Sequence, residues 1–316
     1  MTLSNRILWL LMTYIALFNL SGIQGSSDGF ERSPRILGGF NASIEDYPFM
    51  VSIRYPRTHA CGGVIISSNI ILTAAQCIVE DYFLDLFYVK VGDSAINYKG
   101  TWHKVAKVIK HEGYRRLLVQ EGDSIYYQKV NDIALLKLVK PIKIDNKKTG
   151  IIQLFKRSDE VHHHDSGVLS GWGKRRKIVD RSVPNPKGKG NITRKELVTR
   201  YPENLEIVQL DIGSVYKCFE LHPRANLASQ FCTYTLGRVP CEGDFGSPLI
   251  VDGKVAGLAS WTSGECNGDS NVAYFTDVAK FYGWIEKNME QLRDTYFDSA
   301  HHLSTDIYED FQDIII

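Results

Sequence analysis

A chain of 316 residues with 44% apolar side chains has enough material for one large or two modest folded domains. Its 37 Lys and Arg nearly balance 36 Asp and Glu, a formal net charge of +1. That excludes a global attraction to nucleic acid or to a membrane surface, so an electrostatic partner has to be recognised by a local patch.

Residues 1–25 carry Arg6, the apolar run Ile7 to Leu20, and small residues at Gly22 and Gly25. This pattern predicts a secretory signal peptide, because the run is too short for a stable membrane anchor. The expected product is a secreted monomer with no membrane span. Six cysteines follow, an even number suited to an oxidising compartment, and their pairing is not readable from spacing. A zinc site would need paired Cys-x-x-Cys spacing, which is missing.

Short β-branched runs fill the first half: Phe49 to Ile53, Gly63 to Ile66, Ile70 to Leu72, Phe87 to Val91 and Lys104 to Ile109. The last two alternate apolar and polar residues, as half-buried strands do. Turn residues between them predict a small antiparallel barrel. The second half repeats the style at Gly167 to Ser170, Leu205 to Val208, Pro248 to Val251, Lys254 to Leu258 and Val272 to Thr276. Phe281, Trp284, Ile285 and Met289 then fall at helical spacing, predicting a helix over roughly 279–292.

Between Gly173 and Leu205 lies a basic stretch, in which residues 174–200 hold ten Lys or Arg against Asp180 and Glu196. Pro184, Pro186, Gly188 and Gly190 predict an irregular loop. It reads either as a solvated mobile loop or as a site for an acidic protein surface or a sulfated glycan. Asn191-Ile192-Thr193 within it and Asn41-Ala42-Ser43 earlier are N-glycosylation sequons. A glycan at Asn191 is expected to shield part of the basic patch. His162-His163-His164 reads as a polar loop, since adjacent residues in a strand point to opposite faces and no second ligand cluster is in sight. No metal and no cofactor are expected. The tail 293–316 carries six acids interleaved with Tyr296, Phe297, Tyr308 and Phe311, and reads as a disordered extension or as a segment that docks on a basic surface.

Three segments carry chemistry. Leu72-Thr73-Ala74-Ala75-Gln76-Cys77, Asn131-Asp132-Ile133-Ala134-Leu135 and Cys241-Glu242-Gly243-Asp244-Phe245-Gly246-Ser247-Pro248 resemble, in order, the general-base turn, the orienting aspartate and the nucleophile loop of the chymotrypsin-like (S1) serine proteases. Ser170-Gly171-Trp172-Gly173 and Ser260-Trp261 extend the likeness, which covers about residues 36–290. It implies an all-β fold of two six-stranded antiparallel barrels, 36–147 and 148–292, with a terminal helix and the site between the barrels. It also implies the disulfides Cys61–Cys77, Cys218–Cys232 and Cys241–Cys266. Arg35-Ile36-Leu37-Gly38-Gly39 resembles the family's activation junction, with 26–35 as propeptide, and the ammonium freed at Ile36 would pair with Asp244. That pairing reads as a working ordering switch or as an inherited relic.

The departures from the family decide the functional expectation. Phe245 stands where the family has its serine and Gln76 where it has its histidine, while Asp132 matches. Acyl transfer needs an oxygen nucleophile and a base that takes and returns its proton. A benzyl group has no lone pair, and an amide does not titrate near neutral pH. The oxyanion donors would be the amides of Gly243 and Phe245, with the Phe245 ring in the space a substrate carbonyl needs. Ser247, two positions late, does not substitute. His59 reads as a structural histidine. Val239 occupies the place of the aspartate that holds a basic side chain in trypsin-like members, and Thr262 and Ala273, beside Ser260 and Trp261, narrow a pocket usually walled by glycine. The expectation is an inactive homologue that works by binding, with extracellular proteins as partners. Its pattern is similar to that of the inactivated serine protease paralogues of parasitic mites, a group associated with interference in host complement. An active endopeptidase with an unorthodox site and a glycan or matrix binder acting through 174–200 are the alternatives.

Overall fold

The structure, a computed structural model, describes residues 39–78, 81–121, 124–186, 188–262 and 272–309, all within one compact unit, 34–316. The expected signal peptide, propeptide and Arg35-Ile36 junction, together with Cys266 and the last seven residues, lie outside the described residues.

In chain order the elements are β1 (Phe40–Asn41), β2 (Met50–Arg54), β3 (His59–Ser67), β4 (Ile70–Thr73), β5 (Tyr88–Val91), β6 (Thr101–Lys110), β7 (Arg115–Glu121), β8 (Ser124–Val130), β9 (Ala134–Leu138), β10 (Ser166–Gly171), β11 (Arg175–Pro184), β12 (Asn191–Arg200), β13 (Glu206–Asp211), a short helix (Val215–Leu221), β14 (Gln230–Tyr234), β15 (Pro248–Val251), β16 (Lys254–Thr262), β17 (Val272–Asp277) and a C-terminal helix (Val278–Glu309). Strands β2, β3, β4, β9, β6 and β5 close a six-stranded antiparallel barrel. Its interior is an apolar cluster that includes Val51, Ile65, Ile71, Phe87, Val89 and Leu136. β13, β10, β15, β16, β17 and β14 form the second sheet, and an isolated antiparallel bridge between Ile212 and Thr233 links its two ends. β1, from the start of the described chain, adds to that sheet at β13. Among the described residues the fold is all-β apart from these two α-helices and the short 3-10 turns at Ala75–Cys77 and Asp81–Leu86, as the sequence predicts.

A third cluster joins the barrels. Met50, Val64 and Leu72 from the first meet Trp172, Leu205 and Leu258 from the second, with Val278, Phe281 and Ile285 of the C-terminal helix laid across. The expected helical stripe therefore exists and is buried against both halves. The helix continues to Glu309, so 293–309 is helical where the sequence reading expects an extension without regular structure.

Residues 174–200 require a correction. They form the two-stranded hairpin β11–β12, with Arg175 opposite Arg200 and Pro184 opposite Asn191. The prolines and glycines sit at or beyond the strand ends, where the ladder needs no donor from them. β-branched Ile178, Val179, Val183, Ile192, Thr193, Val198 and Thr199 fill the strands. A second hairpin, β7–β8, pairs Arg115 with Val130 through Glu121 with Ser124 and was not among the expected strands.

Two disulfides are formed as expected, Cys61–Cys77 and Cys218–Cys232. Cys241 is also disulfide-bonded.

Candidate active-site cleft

Gln76 and Asp132 are brought together by neighbouring strand ends: β4 leads into the turn Ala75–Cys77, and Asp132 stands two residues before the start of β9, which pairs with β4. Asp132 is fully buried. Its Oδ1 accepts from the Gln76 amide nitrogen at 2.8 Å, and its Oδ2 accepts from Gln76 Nε2 at 2.6 Å and from Ser260 Oγ at 2.6 Å. Gln76 Nε2 also donates to the Ser260 carbonyl. Each hydrogen of the side-chain amide therefore has an acceptor, which ties the first barrel to β16 of the second. Burial pushes the Asp132 carboxyl up to about 6, against the pull of these donors. The cluster is a fixed hydrogen-bond network without a base that titrates near neutrality at position 76.

Phe245 sits in the loop between Cys241 and β15. Its ring packs on the first-barrel cluster containing Cys61, Ala75 and Cys77, and Lys129 Nζ lies 5.5 Å from the ring centroid. Its carbonyl accepts from the Gly62 amide at 2.9 Å, so the loop is held down at this residue. Ser247 is fully buried, and a Cβ added to Gly62 would come within 1.9 Å of its Oγ. The nearest hydroxyl in the loop is thus packed beneath strand β3.

Gly243 has φ +99°, which a side chain would strain. Its carbonyl accepts from His59 Nε2 at 2.9 Å. A carbonyl can only accept, so Nε2 carries the hydrogen and Nδ1 accepts from Ser52 Oγ at 2.8 Å. His59 is therefore a neutral strut between the start of β3 and the nucleophile-position loop. Burial pushes its pKa down to about 3. The folded state refuses a proton that the unfolded chain takes up below about 6.5, so this contribution to stability is complete above that pH and is lost as pH falls toward 3. The loss is about 1.4 kcal/mol per pH unit. The stability advantage of the native protein over His59→Gln, from urea unfolding, should therefore shrink by roughly 2 to 3 kcal/mol between pH 7.5 and 4.5. Parallel stability curves would remove the strut.

Asp244 is turned into the second barrel. Its carboxylate accepts from the amides of Gly173 at 2.7 Å and Cys241 at 3.0 Å. Glycine at 173 is required by this approach, because a Cβ there would lie 1.9 Å from Asp244 Oδ2. Burial pushes the Asp244 carboxyl up to about 6, and Arg175 opposes that shift through space.

The residues at the pocket positions are buried or partly buried. Val239 and Ala273 are buried in the second barrel's cluster with Leu210, Ile212, Leu249 and Ala259. Val239 offers no charge to a basic side chain. Ser260 and Trp261 are fully buried, and Thr262 is partly so.

What covers Trp261 was missed by the sequence reading. Its indole stacks on Tyr274 at 4.0 Å and 5° and also on Tyr126 of β8 at 5.5 Å and 11°. His222 packs edge-on to both Trp261 and Tyr126. Gln230 donates from Nε2 to the Lys129 carbonyl at 2.9 Å and accepts from Trp261 Nε1 at 3.2 Å. The hairpin β7–β8 thus reaches from the first half of the chain onto β16 and β14. The signal was present in the sequence, where the β-rich runs Leu117-Leu118-Val119 and Ile125-Tyr126-Tyr127 flank the hairpin-type dipeptide Gly122-Asp123.

Asn41 and Asn191, the sequon asparagines, are both exposed. Among the described residues no group of three or more His, Cys, Asp or Glu could hold a metal, and no helix is long and apolar enough to cross a membrane.

Two barrels with a nucleophile-position loop, a base-position turn and a buried aspartate converging between them define the architecture of a chymotrypsin-like serine protease. The family model for trypsin matches residues 36–285, and the chain belongs to that family. Among curated relatives, hypodermin-A of Hypoderma lineatum is 29% identical over 86% of this chain and 92% of its own length. Hypodermin-B of the same organism is 31% identical over 80% of this chain and 87% of its own length. A trypsin of Sarcophaga bullata is 29% identical over 82% and 90%. Among solved structures, neuropsin, a serine protease expressed in the limbic system of mouse brain, superposes with a TM-score of 0.61 at 23% identity, covering 79% of this chain and 98% of its own. That likeness concerns the fold.

Proposed function

We propose that this protein is a secreted trypsin-fold pseudoprotease that acts by binding components of an extracellular protease cascade, host complement among them, as a decoy, cofactor or competitor. The observation that carries the reading is the pair Phe245 and Gln76. The position that must attack holds a hydrocarbon ring, and the position that must shuttle a proton holds an amide whose hydrogens are committed to Asp132 and Ser260. In a well-studied serine protease, loss of the nucleophile or the base alone costs on the order of 10⁶ in turnover. The buried Trp261 and Val239 further oppose entry of a peptide into the cleft. An active enzyme with an unorthodox site would need another nucleophile, and the buried Ser247 lies packed beside Gly62.

Added to a reconstituted complement reaction, the purified protein should lower cell lysis in proportion to dose and saturate, leaving every component at its full length on a gel. Lysis unchanged at micromolar protein would reject the cascade role, and new component fragments would reject the binding mechanism.

A further inference from the structure

We propose that the hairpin β11–β12 is a binding arm for a sulfated glycan chain. Cross-strand partners share a face, and the register puts Arg181 opposite Arg194 and Arg175 opposite Arg200 on the same face. The pairs are six residues apart along β11, roughly 20 Å at about 3.3 Å per residue. Like charges directly opposite each other destabilise a two-stranded sheet, and among the described residues Glu196 and Glu206 each pair with one arginine only, so the hairpin's own folding does not account for Arg194 and Arg200 standing opposite Arg181 and Arg175. A linear polyanion laid along the face does.

The charge count points the same way. Residues 174–200 carry ten cations and two anions, a net +8, so within a total of +1 the remainder of the chain carries −7. The positive charge is concentrated in this arm. Arg181, Arg194 and Arg200 are exposed. Glu196 pairs with Arg181 at 2.6 Å, and the buried Glu206 pairs with Arg175. Arginine's planar fork grips a sulfate as it grips a phosphate, through two parallel hydrogen bonds. A protein partner is disfavoured because 174–200 contain no Phe, Tyr or Trp, the anchors that dominate protein interfaces. A glycan at Asn191 would leave the arginine face free, since Asn191 pairs with Pro184 on the opposite face, which also carries Arg176 and Lys195.

The inference does not depend on whether the cleft is catalytic. It is tested by titrating full-length protein against heparin across a salt series. Arg181→Ser/Arg194→Ser/Arg200→Ser spares Arg175, which serves Glu206, and should weaken binding about 10- to 100-fold at fixed salt. The slope of log affinity against log salt should fall by roughly 2 to 3, about one per lost ion contact, as for other polyanions. Lys104→Ser/Lys107→Ser/Lys140→Ser removes the same charge from exposed positions on the first half and should leave binding unchanged. Circular dichroism checks that both variants fold. The proposal is overturned if native protein fails to bind heparin at physiological salt, if the two triple variants weaken equally, or if polyglutamate or duplex DNA of matched charge binds as tightly as heparin.

Discussion

Restoring the two missing catalytic side chains should not restore a trypsin. In Gln76→His/Phe245→Ser, an imidazole would replace an amide already 2.6 Å from Asp132 Oδ2, and a hydroxyl would stand in the loop held by Asp244. The variant should therefore regain labelling by a small fluorophosphonate, which needs only a nucleophile and a base. Its turnover of Arg- or Lys-amide substrates should stay at least roughly 10³-fold below trypsin, because a site lacking the partner of a polar group discriminates by large factors. Val239 supplies no counter-charge, and Tyr126 lies on Trp261. Adding Tyr126→Ala should raise turnover of substrates with an apolar residue before the scissile bond by more than it raises labelling. Trypsin-like turnover in the double variant would show that the cleft is open and that only the two side chains are missing.

The second large effect concerns stability. Asp132 accepts three hydrogen bonds, two from Gln76 and one from Ser260, and its main-chain carbonyl accepts from Thr276 Oγ1 at 2.9 Å. Asp132→Ala leaves those three donors facing a cavity, and each unsatisfied buried donor costs about 1 to 3 kcal/mol. We expect a loss of roughly 3 to 5 kcal/mol, or a fall in Tm of about 6 to 15 °C for a domain of this size. Glu242→Ala, which removes an exposed pair with Lys174, should cost under about 1 kcal/mol. A loss below about 1 kcal/mol for Asp132→Ala would mean that the residue does not hold the barrels together. Asp132 thus acts as a tether, and its hydrogen-bond network is complete with the Gln76 carboxamide.

The fold and the residue pattern of the site are carried by local signals. β-branched runs mark the barrel strands, and the stripe Phe281, Trp284, Ile285 and Met289 marks the helix, because the face that packs has to be apolar at the period of its element. Gln76, Asp132 and Phe245 are separated by long stretches of chain, and only the paired strand ends β4 and β9 and the loop before β15 bring them together. Their likeness to a known motif made that convergence readable. The covering of the cleft was harder to see, since Tyr126 and Trp261 meet through long-range stacking that leaves no periodic trace in either segment. The basic hairpin was misjudged for a different reason. Four proline and glycine residues weigh heavily in a local reading, yet all sit at or beyond the strand ends, where they close the turn and leave the ladder intact.

Active-site titration of the native chain is the most direct test of whether this protease fold works without protease chemistry. A fluorophosphonate probe incubated with purified protein should give no labelling above a heat-denatured control, with trypsin labelled one to one beside it. Stoichiometric labelling of the native protein, mapped to any serine in the cleft, would contradict the account.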